Sequence, residues 1–257
     1  RKARIALWDR YGGSMASGWI RWMLERFEFD FQLIYPPEID AGALSNYDVL
    51  ILPSDASFGG RGGTNENNDP TVPLEWRNRM GSLSTDTSVP KIKEFLEAGG
   101  TVIAIGSAGS LARHLGLPIE NHVVEMVDGQ ERPVPRDKFY VPTSLLRMDV
   151  NTSNSSTWGM PKQADVFFDN SPVYRLLPGA ENRGITPLLS FGSASPLRSG
   201  WAWGQERLNG GVGGFEAFVG EGKLLVYGPE ITFRAQPYGT FKLLFNALYK
   251  TSLRQRH

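Results

Sequence analysis

The stretch that most constrains this chain is residues 101–109, TVIAIGSAG. A run of β-branched and apolar residues stops at Gly-Ser-Ala-Gly, and residues 110–115 (SLARHL) then take on helical character. The pattern reads as a buried parallel strand, a tight turn and a helix start. Ser107 falls at the tip of that turn, where an enzyme built on a strand–turn–helix elbow would carry its nucleophile. The question for the whole chain is whether partners for such a nucleophile are present.

The neighbouring segments supply the rest of a sheet. Residues 4–8 (RIALW), 29–35 (FDFQLIY) and 47–53 (YDVLILP) read as strands, and residues 223–227 (KLLVY) as the last sheet strand. Between them, residues 15–27 place Trp19, Trp22, Met23 and Phe27 at helical spacing, with Ser14 or Ser17 as cap. Residues 90–98 (PKIKEFLEA) start with Pro and end at Gly99-Gly100, the expected asymmetry of a helix. Residues 240–249 (TFKLLFNALY) close the chain as an amphipathic helix sharing Phe241, Leu244, Phe245 and Leu248 on one face, before a basic, frayed tail at 250–257. The alternation argues a doubly wound, mostly parallel sheet. Residues 54–72 form a long Gly/Asn/Asp-rich loop, and residues 120–215 a β-rich insertion at one sheet edge within a single domain spanning 1–257. Strands are expected there at SLLRMDV, ADVFFDN, ITPLLSFG and SGWAWGQE. Trp158, Trp201 and Trp203 are expected to pack in the core or against this lobe rather than to form a ligand platform.

Composition removes several functions. Lys+Arg and Asp+Glu both total 27, so no net positive charge favours nucleic acid or an anionic membrane. No run approaches the ~20 apolar residues of a membrane span. There is no cysteine, which excludes a thiol nucleophile, a disulfide and a Cys-ligated metal. The chain begins at Arg1, and residues 4–8 already read as strand, so it is expected to be a piece of something longer.

Sites in doubly wound folds lie outside the carboxyl ends of the strands, where Asp9, Arg10, Ser54, Asp55 and Ser107 would converge. A serine nucleophile needs a base and a group to orient it. Only three histidines exist. His257 is in the tail and His122 in the β-rich segment. His114 follows Ser107 by two helical turns, ~10 Å of rise, and is expected to point away. The simpler reading is that Ser107 caps the following helix with its hydroxyl. Gly12-Gly13-Ser14 lacks the spacing of a dinucleotide or P-loop motif and reads more simply as a turn. An anionic small molecule held by Arg10, Ser14 and Arg234 stays open as an alternative. An all-oxygen cation site from Asp55, Glu66 and Asp69 matches no EF-hand spacing. No metal and no cofactor is expected.

These residues carry a resemblance. TVIAIGSAG sits where class I glutamine amidotransferase-like domains have their G-x-C-x-G elbow, with Ser107 at the cysteine and Ile105 at the first glycine. Gly228-Pro229-Glu230 resembles their late His-Pro-Glu, with Glu230 at the acid and glycine at the base. A second resemblance covers nearly the whole chain. RYGGSMASGWIRWMLERFEF, FLEAGGTVIAIGSA, TWGMP, ADVFFDNSPVYRL and FRAQPYGTFKLLFNALY look like the amidotransferase-like domain found C-terminal to bacterial M14-type zinc carboxypeptidases. The resemblance implies a flavodoxin-like α/β domain, non-catalytic and accessory to an upstream peptidase domain of an exported parent. Its carboxyl edge would hold a small molecule or peptide through Asp9, Arg10, Ser14, Ser54 and Arg234. The alternative is a serine hydrolase or amidase using Ser107, with Glu230 or Asp9 in place of the missing histidine.

Overall fold

The computed structural model describes residues 2–59 and 70–253. In chain order the elements are β1 (Ile5–Trp8), α1 (Met15–Arg26), β2 (Phe31–Ile34), α2 (Pro36–Asp40), β3 (Val49–Leu52), α3 (Leu74–Arg77), α4 (Ser88–Glu97) and β4 (Thr101–Ile105). A 3-10 turn, Gly106–Ser110, leads into α5 (Leu111–His114). Then follow β5 (Ile119–Asn121), β6 (Val124–Val127), β7 (Gln130–Pro133), β8 (Ser144–Val150), β9 (Gln163–Phe168), β10 (Tyr174–Leu176), β11 (Ile185–Ser190), β12 (Leu197–Ser199), β13 (Val212–Val219), β14 (Gly222–Tyr227) and α6 (Phe241–Leu253).

Five strands run parallel in the order β2-β1-β3-β4-β14. This is the flavodoxin-like order, in which the chain reverses direction across the sheet between β1 and β3. Their side chains alternate between two cores. Ile5, Leu7, Ile51, Ile103 and Leu225 face α1 and α6, whereas Ala6, Leu50, Val102 and Leu224 face α4. Each fully buried Leu or Ile contributes ~1.5–3 kcal/mol, so these runs dominate the fold's stability.

Beyond β14 the sheet continues antiparallel through β13, β11, β8 and β12. β9 pairs with β8, and β10 bridges β13 and β5. The residues between β4 and β14 therefore extend the sheet itself, apart from the β6–β7 hairpin, which pairs only with itself. A buried ion pair pins this extension: Lys223 Nζ lies 2.8 Å from Glu216 Oε2, both side chains almost fully covered. Glu216 also accepts hydrogen bonds from Asn154 and Ser156.

Several expectations need correction. The covered face of α1 is Ser17, Ile20, Met23 and Leu24, while Trp19, Trp22 and Phe27 are 38–42% exposed. The aromatic stripe is the helix's outer edge, with Arg26 over the Trp22 ring. α4 begins at Ser88, so Pro90 lies inside the first turn, where its missing N–H is still harmless. The elbow does not run straight into an α-helix: five 3-10 residues precede a four-residue α5. Residues 200–206 form no strand; β12 ends at Ser199 and a 3-10 turn starts at Gln205. Trp158, Trp201 and Trp203 are 78%, 60% and 54% exposed, so they form no part of the core. Trp203 is held only at its edges, its indole N–H on the Asp137 carbonyl and its backbone bridged to Tyr140. Of the long loop, residues 60–69 lie outside the described residues, as do tail residues 254–257.

Candidate functional site

The carboxyl ends of β1, β3, β4 and β14 meet at one edge, and the side chains there are tied to one another. Asp9 accepts the backbone N–H of Arg10 and of Ser14, each at 2.8 Å. Ser14 caps α1 by accepting the Ser17 N–H, and its own hydroxyl donates to Asp55 at 2.7 Å. Arg10 lies 3.8 Å from Asp55 and donates to the Gly13 carbonyl. Arg10 and Ser14 are therefore both directed at Asp55. The Ser14 donor is spent on a carboxylate, and a carboxylate already sits at the start of α1.

The elbow turns at Gly106, whose φ is +59°. This left-handed conformation is the position a strained nucleophile takes in such elbows. Ser107 is one residue further on, and its hydroxyl donates to the Ser54 carbonyl rather than capping a helix. Gly106 also lies against Ser54, after β3, and Glu230, after β14. A Cβ there would lie 2.6 Å from both Glu230 Oε1 and Ser54 Cβ.

Glu230, Ser54, Asp55, Asp169, Trp19 and Arg234 line a cavity of about 280 Å³ on the α1 side of the elbow. Burial pushes the Glu230 carboxyl up to about 7; a Ser54 hydrogen bond opposes the shift, and the charges of Asp169 and Asp55 add to it. Three carboxyl groups against one Arg234, itself folded over Phe233 in a left-handed conformation, make this an acidic pocket. Glu230 is thus a group able to hold or release a proton near neutral pH.

On the other side of the elbow, Ser107 lines a second cavity, of about 540 Å³, together with Ser110, Arg113, His114 and Tyr174. His114 lines this cavity with Ser107 but makes no hydrogen bond to it among the described residues. Its imidazole packs edge-on to Phe58, ring centres 5.9 Å apart. Among the described residues, the one hydrogen bond of the Ser107 hydroxyl goes to Ser54 and not to His114.

The position that the sequence resemblance gives to the base is Gly228. Its Cα lies under the Pro172 carbonyl, and a Cβ would clash with that oxygen. No side chain fits at 228 without moving the backbone. Gly106, at the turn of the elbow, has no side chain, and Glu230, which the resemblance gives as the acid, lies against it. Among the described residues, no cluster of three His, Asp or Glu side chains could hold a metal ion. Of the proposed cation ligands, Asp55 is engaged with Ser14, and Glu66 and Asp69 lie outside the described residues. No helix among the described residues is long and apolar enough to cross a membrane.

Asp169, Trp19, Phe233, Arg113 and Tyr174 escaped the reading of the sequence. Asp169 follows β9 and reaches the pocket because the Glu230 N–H bonds to the Phe167 carbonyl, a pairing between segments sixty residues apart that no local pattern signals.

The sequence matches no protein-family model and no curated protein. Solved structures are similar over nearly the whole chain. A GMP synthase-like protein of Thermoplasma acidophilum superposes with TM-score 0.56 at 13% identity, covering 98% of this chain and 95% of its own. A ThuA-like protein of Parabacteroides merdae gives 0.57 at 11%, covering 100% and 93%. A glutamine amidotransferase of Thermotoga maritima gives 0.51 at 13%, covering 99% and 87%. At these identities the likeness concerns the fold alone, and the fold is that of the flavodoxin-like, class I amidotransferase-like α/β proteins.

Proposed function

We propose that this chain is a non-catalytic, amidotransferase-like binding domain, accessory to a larger exported protein of the M14 metallopeptidase type, with a small molecule or peptide held at the carboxyl edge of its sheet. The observation that carries the reading is Gly228: where the triad needs a base, the Pro172 carbonyl occupies the space of any side chain. Gly106 at the apex and a chain without cysteine support it from the nucleophile's side. The peptidase parent rests on the sequence resemblance, and the natural reading frame upstream of Arg1 tests it. A preceding domain with His-x-x-Glu and a later His is expected; a start codon directly before Arg1 removes that half of the proposal.

A second reading has one observation in its favour: Ser107 and His114 line the same cavity. A Ser–His hydrolase would need the hydroxyl to leave the Ser54 carbonyl and reach the imidazole. A fluorophosphonate probe separates the two. The binding-domain reading expects no labelling of the protein and no ammonia release from glutamine. Labelling that disappears in Ser107→Ala would establish the hydrolase instead.

A further inference from the structure

The cavity on the α1 side of the elbow is lined by a polar group that the rest of the chain leaves unused. Thr232 forms part of its wall. The residue is only 6% exposed, yet its hydroxyl has no hydrogen-bond partner among the described residues. Nor is that hydroxyl sealed inside the protein, as the orphaned hydroxyls of Ser17 and Tyr174 are. It stays reachable from the cavity that the residue lines. Buried hydroxyls nearly always find a partner, so this one is placed for a group that arrives from outside.

The carboxyl groups of the same cavity lack a cation. Glu230 has Ser54 as its one side-chain partner, while burial and the charges of Asp169 and Asp55 all disfavour its ionised form. Asp169 spends Oδ1 on the Thr143 N–H and the Asn170 amide, and among the described residues no hydrogen bond reaches its Oδ2. Asp55 differs, being met by the Ser14 hydroxyl with Arg10 nearby. Arg234 does not balance Glu230. Its guanidinium lies over the Phe233 ring, 5.1 Å from the centroid, and it is not among the groups that act on the Glu230 carboxyl. Apolar surface completes the cavity: Trp19 of α1, and Phe233, which is stacked on Phe167 with ring centres 4.8 Å apart.

We infer that this cavity binds a small primary ammonium, its N–H donors taken by the Thr232 hydroxyl and the Glu230 and Asp169 carboxylates, and its apolar body lying against Trp19 and Phe233. An ammonium carries three donors and no acceptor, which matches one unused hydroxyl and two carboxyl groups without a counter-ion. Among the described residues, no three acidic or imidazole groups could hold a metal ion, which leaves an organic cation as the occupant. The cavity, about 280 Å³, falls just below the roughly 300–1,000 Å³ of sites for drug-sized ligands, so the apolar body is small. The inference names a ligand class for the binding-domain reading and rests on it. Fluorophosphonate labelling at Ser107 would overturn that broader reading, whereas the titration below tests the amine alone.

The experiment is isothermal titration of the intact chain with phenethylammonium, phenethyl alcohol and tetramethylammonium. Heat is expected with phenethylammonium at pH 8. The alcohol lacks the charge and tetramethylammonium lacks N–H donors, so each should bind at least about tenfold more weakly. The Glu230 carboxyl ionises at about 7, and the amine stays protonated well above that, so affinity should rise about tenfold from pH 6 to pH 8. Glu230→Gln is expected to weaken binding at pH 8 at least about tenfold and to abolish that rise, with Glu181→Gln unchanged. Thr232→Val separates ligand binding from a structural role: it should weaken the ligand about threefold or more without lowering the unfolding midpoint, because the hydroxyl it removes has no partner in the unliganded protein. Silence with phenethylammonium, equal binding of either control probe, unchanged affinity in the Glu230 or the Thr232 variant, or a lowered midpoint in the latter overturns the inference.

Discussion

The Cα of Gly228 sits directly beneath the carbonyl oxygen of Pro172, with no room between them for a β-carbon. Both residues border the same edge, one after β14 and the other before β10. The contact fills the position that the sequence resemblance gives to a general base. Restoring the missing residues should therefore not restore the chemistry. Gly228→His, alone or with Gly106→Cys or Ser107→Cys, is expected to lower stability by at least about 1–3 kcal/mol, the usual cost of forcing atoms into a filled site. No glutaminase activity should appear. Urea unfolding and an ammonia-release assay check both halves, and measurable turnover in the double variant would show that the backbone at 228 yields.

How much of this was legible beforehand follows from which contacts are local. β1, β3, β4 and β14 were readable because strands covered on both faces need long apolar runs, and IALW, VLIL, VIAI and LLVY supply them. Ser54, Asp55 and Ser107 were readable because strand ends converge in such sheets, whereas Glu230 came only from the likeness of Gly228-Pro229-Glu230 to a late His-Pro-Glu. Met23 of the expected α1 stripe is buried, but the rest of the covered face is Ser17, Ile20 and Leu24, and Trp19 and Trp22 lie beside it, half exposed. Asp169 and Tyr174 were beyond reach, because antiparallel pairings between distant segments bring them to the edge. The extension's exposed tryptophans show the same limit: an indole in a β-rich segment does not announce which side it faces.

Glu230 should make stability depend on pH. Its carboxyl titrates at about 7 in the folded protein against an ordinary 4.5, chiefly through burial. The folded state holds its proton more tightly than the unfolded chain, so stability is greatest below about 4.5 and falls as pH rises through 7. The loss is at most roughly 3 kcal/mol. Glu230→Gln mimics the protonated form and should remove that slope. Denaturation at pH 5 and pH 8 checks this: the variant should match wild type at pH 5 and exceed it at pH 8, and parallel losses in both proteins would disprove the assignment.

The Lys223–Glu216 pair should behave as a buried unit. Removing one partner, as in Lys223→Met or Glu216→Gln, strands the other charge and should cost about 3–5 kcal/mol. Replacing both with apolar residues should cost far less, although Asn154 and Ser156 would then lose their acceptor. Burial works to raise the Glu216 carboxyl, but hydrogen bonds from Asn154, Lys223 and Ser156 outweigh it and leave it below its ordinary value. Its contribution is therefore present above that ordinary value and lost as pH falls through the depressed one, opposite in sign to Glu230. Thermal unfolding of the single and double variants between pH 3 and pH 6 measures both effects, and single-variant costs below about 1 kcal/mol would mean water reaches the pair.

Gly109 should be intolerant of substitution for a reason that one other residue can remove. A Cβ at 109 would clash with the Tyr174 hydroxyl; the next obstacles, Val226 Cγ1 at 2.9 Å and Tyr174 Cζ at 3.2 Å, are milder. The phenol cannot retreat, because Phe215 closes on its ring and the position is buried. Gly109→Ala should thus cost about 1–3 kcal/mol in the wild-type background. In a Tyr174→Phe background the oxygen is gone and much of that cost should go with it. The two changes act on one contact, so a double-mutant cycle is expected to return a coupling of roughly 1 kcal/mol or more. Additive costs would place the obstacle at Val226 instead, and the hydroxyl of Tyr174 would then have more freedom than its packing under the 3-10 turn implies.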